Sequence, residues 1–137
     1  MNAGIAPQSI ETIGVIGAGT MGHGIAQVAA GAGYKVLLRD VDRDSLARGI
    51  QAIERNLAKG IQLGKLTEDA RDSTLQHIRG TVQLEQIATA DLIVEAAPEQ
   101  LKLKQEILRE VEDLASPGFI FWNADDAVVH RSNLLGG

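Results

Sequence analysis

The chain has 137 residues, 45% of them hydrophobic and 23% charged, which favours one globular domain whose core needs no metal or disulfide. The absence of cysteine excludes disulfide frameworks, thiolate zinc sites, iron–sulfur clusters and cysteine nucleophiles. A net charge of −5, no basic leader and no apolar stretch approaching about 20 residues argue against nucleic-acid and membrane partners, so the expected location is the cytoplasm.

The first forty residues predict one strand–helix–strand unit. A β-branched run from Thr12 to Ile16 is typical of a strand buried on both faces. A helix is expected from Thr20, where apolar residues recur three or four positions apart, and Gly31 and Gly33 stop it. Residues 34–40 then predict a second strand.

The next forty residues predict a helical excursion that is longer than a minimal crossover between strands. Residues 42–57 carry an apolar stripe at helical spacing, and Gly60 and Gly64 are expected to end this helix. A second helix is predicted from Thr67, with Ile78 as the last member of its apolar stripe.

The remaining residues continue to alternate between strands and helices. A short strand is expected to begin at Thr81, a helical turn over 84–88 and a strand over 91–96. An amphipathic helix is expected to begin after Pro98 and end near residues 116–118, and a last strand to follow over 119–122. This alternation indicates an α/β fold, in which a parallel sheet carries helices on both faces.

A glycine-rich turn joins the first strand to the first helix. It reads Gly17-Ala18-Gly19-Thr20-Met21-Gly22, a G-x-G-x-x-G pattern. The first glycine permits a tight turn, the second lets the backbone approach a pyrophosphate, and the third lets helix and strand pack closely. The helix N-terminus adds unpaired N–H groups for phosphate oxygens. The turn therefore predicts a Rossmann-type fold that binds a dinucleotide, with a purely structural turn as the alternative.

Asp40 ends the second predicted strand, 23 positions after Gly17. A carboxylate at about this spacing accepts hydrogen bonds from the adenosine ribose and repels a 2′-phosphate. NAD is therefore expected over NADP, although Arg39 and Arg43 could each meet a phosphate. FAD is a less favoured ligand of the same turn.

A second group of polar residues follows the strand predicted at 91–96. Glu99 comes directly after Pro98, and Lys104 lies in the first turns of the next helix. Ligands of open parallel sheets bind at the carboxyl ends of strands, which would place both side chains near the nicotinamide ribose. The alternative is a solvated helix start whose glutamate favours the helix dipole.

Residues 12 to about 118 resemble the L-3-hydroxyacyl-CoA dehydrogenase family. The resemblance depends on IGVIGAGTMGHGIAQVAAGAGYKVLLRD, on the helical excursion and on DLIVEAAPEQLKLKQEIL. It implies reversible hydride transfer between NAD and the 3-hydroxyl carbon of an acyl-CoA. The implied cofactor-binding residues are the whole glycine turn with Asp40 on the adenosine side, and Ala96, Glu99, Lys104 and Asn123 on the nicotinamide side.

The chain departs from the family's pattern after residue 118. The family continues S-N-T-S-S where this chain reads Trp122-Asn123-Ala124-Asp125-Asp126, so Asp125 stands where a serine is expected and, while ionised, donates no hydrogen bond. The family's general base is a histidine in an L-H-F-F-N-P segment, paired with a glutamate. Neither is found here, and His23, His77 and His130 are expected to be structural or exposed.

These departures predict a domain division and a limit on activity. Residues 1–118 are expected to form an NAD-binding domain, residues 119–137 a last strand with an atypical tail, and the family's C-terminal helical domain to be absent. No residue of the chain is then expected to be catalytic, and the surface left uncovered should promote self-association into a homo-oligomer. The alternatives are a non-catalytic dinucleotide-binding module and the cofactor domain of another β-hydroxyacid dehydrogenase.

Overall fold

The computed structural model describes residues 10–96, 106, 109, 110, 113, 120–123 and 128–131. Six strands and four helices have their bounds in these residues. The strands are β1 Thr12–Ile16, β2 Lys35–Arg39, β3 Ile78–Thr81, β4 Leu92–Glu95, β5 Ile120–Asn123 and β6 Val128–Arg131. The helices are α1 Thr20–Gly31, α2 Arg43–Gln62, α3 Glu68–Gln76 and α4 Leu84–Ile87.

The six strands form one sheet in the order β3-β2-β1-β4-β5-β6. All pairs from β3 to β5 are parallel, which confirms the predicted α/β fold. Two expectations were wrong: β5 is not the last strand, and β6 runs antiparallel to it. A short β-branched pair such as Val128-Val129 is weak evidence for a strand.

The sheet separates two apolar layers, because alternate residues of each strand point to opposite faces. The larger layer joins the sheet to α1, α2 and α3, and the smaller one joins the other face to α4. On β1, Val15 belongs to the larger layer and its neighbour Ile16 to the smaller. Gly14 lies under α4, where a Cβ atom would come within 3.1 Å of Ile87 and 3.2 Å of Ala90.

The helical excursion differs from its prediction at two points. Helix α2 continues through Gly60 to Gln62 and stops before Gly64, which has a left-handed φ of 74° as expected of a glycine that ends a helix. Leu66 packs over Gly60, with 3.4 Å between its Cβ and an added Cβ. Helix α3 ends at Gln76, and Ile78 begins β3 instead of ending the helix. One apolar residue at helical spacing cannot distinguish a helix from a strand edge.

Side chains cap α2 and α3 at their N-termini. The Ser45 N–H donates to Oδ1 of Asp42 at 2.7 Å, and the Ala70 N–H donates to the Thr67 hydroxyl at 3.0 Å. Both helices also carry acidic residues in their first turn, which interact favourably with the helix dipole.

The Asp42 cap predicts a pH-dependent contribution to stability. The hydrogen bonds from the Ser45 backbone and side chain lower the pKa of Asp42. The cap therefore stabilises the fold fully at pH values above the ordinary pKa of a carboxyl group, and this stabilisation is lost as the pH falls through the lowered pKa of the folded state. Asp42→Asn should retain a cap but remove this pH dependence. Urea unfolding of both proteins from about pH 7 to about pH 3 would test it. A stability difference that is constant over this range would contradict the assignment.

Beyond Ala96, the described helical residues share one exposed face. Glu106, Arg109, Glu110 and Asp113 are spaced 3, 1 and 3 positions apart, and all four are exposed. Charged residues at this spacing are typical of the solvent side of an amphipathic helix. The apolar residues predicted for its other side, and the helix ends expected after Pro98 and near residues 116–118, lie outside the described residues. Within the part that is described, no helix is long and apolar enough to cross a membrane.

Candidate functional site

The candidate site lies where the strand order of the sheet reverses. Successive connections from β1 lead to one side through β2 and β3, and to the other through β4 and β5. A crevice opens at such a point outside the carboxyl ends of the two central strands. The Ala96 N–H donates to the Ile16 carbonyl at 2.8 Å, so the chain leaves β1 and β4 side by side.

Two glycines hold the turn that follows β1. Gly17 adopts a φ of 101°, a left-handed conformation that favours glycine, and its N–H donates to the Arg39 carbonyl at 2.7 Å. Gly22 lies in the first turn of α1, and a Cβ added there would overlap the Gly17 carbonyl oxygen. Close packing of helix against turn therefore requires glycine at both positions.

Gly19 has a different environment from these two glycines. It precedes α1 with an ordinary φ of −73°, it is exposed, and an added Cβ would meet nothing within 4 Å. No side chain caps α1, and its first turn carries no acidic residue, in contrast to α2 and α3. Within the part of the chain that the structure describes, no side chain caps this end and no atom would contact a Cβ at Gly19, so the position offers room for an incoming phosphate.

The carboxylate of Asp40 is hydrogen-bonded to this turn. Its Oδ2 accepts from the Ala18 N–H at 2.9 Å, and its Oδ1 accepts from the Val41 N–H at 2.7 Å. Asp40 is only half-buried. Since a carboxylate has about four lone-pair positions, two remain for hydroxyl donors. The structure thus joins two features that the sequence identified separately, the glycine turn and the acidic end of β2.

Two further residues support the turn, and the sequence analysis did not identify this role. The His23 Nδ1 lies 2.7 Å from the Gly19 carbonyl oxygen; a carbonyl only accepts, so this nitrogen carries the proton. Gly49 of α2 packs against the turn, where an added Cβ would come within 2.5 Å of the Ala18 carbonyl oxygen. The sequence offers one indication of this role for Gly49: it is a glycine among the apolar positions of α2, where helices usually carry a larger residue.

The nicotinamide side of the predicted site is described only in part. Ala96 is buried, and its Cβ lies 3.6 Å from where a Cβ of Gly22 would be. Asn123 ends β5 and pairs with the buried Glu95, so its backbone lies at the same edge of the sheet. Glu99 and Lys104 lie outside the described residues, and their placement stays a prediction.

On the adenosine side, apolar and basic side chains surround the end of β2. Met21 and Val41 are 46% and 65% exposed, which is high for apolar residues beside a crevice. The Arg39 Nε donates to the Val82 carbonyl at 3.2 Å and is directed toward β3. Arg43 lines a cavity of about 410 Å³ at the carboxyl end of β3. The residues lining that cavity are Arg43, Leu46, Arg79, Gly80, Thr81, Val82, Gln83 and Gln86.

Solved structures share this arrangement of elements. The (S)-3-hydroxybutyryl-CoA dehydrogenase of Ralstonia eutropha is 34% identical with a TM-score of 0.81, and the match covers 84% of this chain and 41% of that protein. The 3-hydroxybutyryl-CoA dehydrogenase of Escherichia coli K12 is 35% identical with a TM-score of 0.82, over 85% of this chain and 25% of that protein.

Curated relatives match the same region. The 3-hydroxyadipyl-CoA dehydrogenase of Escherichia coli K12 is 38% identical over 109 residues, which are 80% of this chain and 23% of the relative. The 3-hydroxybutyryl-CoA dehydrogenase of Bradyrhizobium diazoefficiens is 41% identical over 108 residues, which are 79% of this chain and 37% of the relative. The chain therefore spans well under half the length of these relatives.

Residues 12–125 match the sequence profile of a single family, which runs from the start of β1 past the end of β5. That region contains the glycine turn, Asp40 and both strands at the reversal of the strand order. The chain belongs to the 3-hydroxyacyl-CoA dehydrogenase NAD-binding domain family, and the cofactor of this family is NAD.

Proposed function

We propose that this chain is the cofactor domain of an oxidoreductase that transfers hydride between NAD and the 3-hydroxyl carbon of a 3-hydroxyacyl-CoA. One observation carries the proposal: the backbone at Gly19 faces open space in front of an uncapped helix N-terminus, next to a carboxylate tied to the same turn. A pyrophosphate and an adjoining ribose diol are the ligand groups that this pair of features fits.

Each residue of the turn has a proposed role toward the cofactor. Gly19 and the N–H groups of Thr20 and Met21 hold the pyrophosphate, while Gly17, Ala18 and Gly22 hold the turn in shape. Asp40 accepts from the adenosine ribose hydroxyls with the lone pairs that Ala18 and Val41 leave unused. Ala96, Glu99, Lys104 and Asn123 are proposed for the nicotinamide side.

When bound, NAD supplies the hydride acceptor for the alcohol and, when reduced, the hydride donor for the ketone. The alcohol must also lose its hydroxyl proton, which a base near neutrality usually takes. We propose that the chain alone turns over little, since none of its histidines is suited to this role. His23 is bonded to Gly19, His77 lies at the amino end of β2, and His130 is on the antiparallel edge strand.

Two measurements test the proposal. Calorimetric titration should show NAD binding by this chain, with NADP weaker. With acetoacetyl-CoA and NADH, the chain alone should oxidise NADH little, and activity should appear once the downstream helical domain of a relative is attached. Failure to bind NAD would contradict the proposal. Binding without gain of activity in the fusion would favour a non-catalytic dinucleotide-binding module, and activity only with a substrate lacking CoA would favour another β-hydroxyacid dehydrogenase.

The partners and the compartment are part of the same proposal. In the longer relatives, residues outside the matched region would bind most of the acyl-CoA. In this chain, homo-oligomers would bury the apolar surface that such a region would otherwise cover. Sedimentation at several concentrations tests the self-association, and a monomer at all concentrations would contradict it. The proposed location is the cytoplasm. Because one relative from Arabidopsis thaliana is named as peroxisomal, cell fractionation is the deciding measurement.

A further inference from the structure

A second cavity lies at the opposite end of the sheet from the glycine turn. Its volume is about 530 Å³. Thr12 and Lys35, which line it, are the first residues of β1 and β2, whereas the glycine turn follows the last residue of β1. Five residues of extended strand separate the two ends by about 16 Å. The residues lining this cavity, here called the amino-end cavity, are Thr12, Lys35, Val36, Leu37, Gln76, His77 and Arg79.

The two cations of the amino-end cavity lie on the same face of the sheet. Leu37 pairs with Arg79 across the parallel β2 and β3, and Lys35 lies two positions before Leu37 on the same strand. Alternation along the strands therefore directs both cations to the face that carries α4. Strand spacing and rise place their Cα atoms about 8 Å apart. Between them, the half-buried Leu37 supplies an apolar floor.

The charge of this cavity contrasts with the charge of the whole protein. The chain carries −5, yet none of the seven lining residues is acidic. Lys35 and Arg79 are both exposed, and the side-chain ion pair found among the described residues, Arg71 with Asp72, involves neither. Two cations that converge without a carboxylate partner repel each other, and a bound anion would relieve that repulsion.

The acidic residues at the amino ends of β1 and β4 are not among the residues that line the cavity. Asp91 precedes β4, and its Oδ2 accepts from the backbone N–H groups of Glu11 and Thr12 at 2.9 and 3.1 Å. Glu11 is exposed next to Thr12, and its carbonyl oxygen accepts from the Lys35 N–H at 3.1 Å. Glu11 is thus the acidic side chain closest in sequence to the rim, and it is not among the lining residues.

His77 and Gln76 complete the wall at the end of α3. The His77 Nδ1 lies 2.7 Å from the Ser73 carbonyl and donates to it, which fixes the imidazole on the helix end and leaves Nε2 as the other ring nitrogen. The backbone carbonyl of His77 accepts from Val36 at 2.8 Å, so this wall is tied directly to β2. Gln76 and Thr12 add an amide and a hydroxyl that can donate to oxygen.

We propose that the amino-end cavity binds a small phosphate-bearing anion. Lys35 and Arg79 neutralise the phosphate, and Leu37 packs against the rest of the ligand. Lys35 supplies a compact ammonium charge and Arg79 a planar guanidinium with several N–H donors. Lysine and arginine are the side chains that proteins use most to bind phosphate. The amino-end cavity lies away from the glycine turn, although Arg79 also lines the cavity at the carboxyl end of β3, and the proposal does not depend on the proposed function.

The test is calorimetric titration of the 137-residue chain with inorganic pyrophosphate in saturating NAD, which occupies the glycine turn. Lys35→Gln and Arg79→Gln should each weaken pyrophosphate binding at least about tenfold, because each removes one charge-assisted contact. Arg55→Gln is the matched control: Arg55 is an exposed cation of α2 that lines neither of the two cavities, and its replacement should change the affinity less than about twofold. Lys35 lines the amino-end cavity and not the cavity at the carboxyl end of β3, so Lys35→Gln should bind NAD as the parent does.

Pyrophosphate binding that is absent, or that neither Lys35→Gln nor Arg79→Gln weakens, would overturn the proposal. Arg79 would then serve only to keep the edge strand β3 from pairing with another chain. If NAD itself does not bind, the proposed function fails, but the comparison of the three variants with pyrophosphate still decides this cavity. The two proposals can therefore fail independently.

Discussion

Replacing Gly19 with alanine is expected to weaken NAD binding about 10- to 100-fold while lowering the free energy of unfolding by no more than about 1 kcal/mol, since Gly19 is the N-cap of α1. The added Cβ meets none of the described atoms within 4 Å and requires no left-handed backbone, since φ is −73°. It would occupy the space through which the pyrophosphate must approach the backbone. Hydrogen bonds to a charged group contribute about 1.5–3 kcal/mol each, so the loss of one gives about the expected range. Calorimetric titration with NAD and urea unfolding measure the two quantities.

Two other glycines of α1 provide controls for this variant. Gly24 also has nothing within 4 Å of an added Cβ, so Gly24→Ala should leave NAD binding intact and stabilise the helix by about 0.5–1 kcal/mol. Gly22→Ala should instead destabilise the fold by at least about 1–3 kcal/mol, because the Cβ overlaps the Gly17 carbonyl oxygen. Equal NAD affinity in Gly19→Ala and Gly24→Ala would show that the pyrophosphate is not held at Gly19.

Asp40→Asn is expected to weaken NAD binding about tenfold and to reduce the preference for NAD over NADP by more than that. The amide loses the charge that strengthens hydrogen bonds from the ribose hydroxyls. It also removes the repulsion of a 2′-phosphate, which at a protein surface amounts to up to about 4 kcal/mol for two unit charges about 4 Å apart. The affinity for NADP should therefore increase relative to the affinity for NAD. Titration with both dinucleotides measures the ratio of the two affinities.

Asp44→Asn is the matched control for Asp40→Asn. Asp44 is exposed in the first turn of α2, four positions along the chain, so its replacement removes the same formal charge without touching the glycine turn. The ratio of NAD to NADP affinity should stay as in the parent. A ratio that Asp40→Asn leaves unchanged would argue against the ribose role, and the Asp40 carboxylate would then serve only to hold the Ala18 N–H.

The glycine turn and the elements on either side of it could be predicted from the sequence because they are contiguous in the chain. Strand β1, the glycine turn and α1 are contiguous, and each glycine has a conformational or steric requirement that only a few arrangements satisfy. Asp40 was identified by its spacing at the end of β2, a strand that the β-branched and aliphatic run marks clearly. In these stretches local propensity and tertiary packing favour the same structure, and such agreement makes a prediction succeed.

Tertiary structure decided everything that depends on which distant residues meet. The sequence itself determined the parallel α/β fold and the glycine turn after β1, through periodicity and glycines whose reasons are local. Only the fold placed Gly49 against Ala18, joined Asp40 to the turn, and made Ile78 a strand residue beside Val36 instead of the end of a helix. The convergence of Lys35 and Arg79 on one cavity also follows from strand register, and register is set by pairing between residues more than forty positions apart.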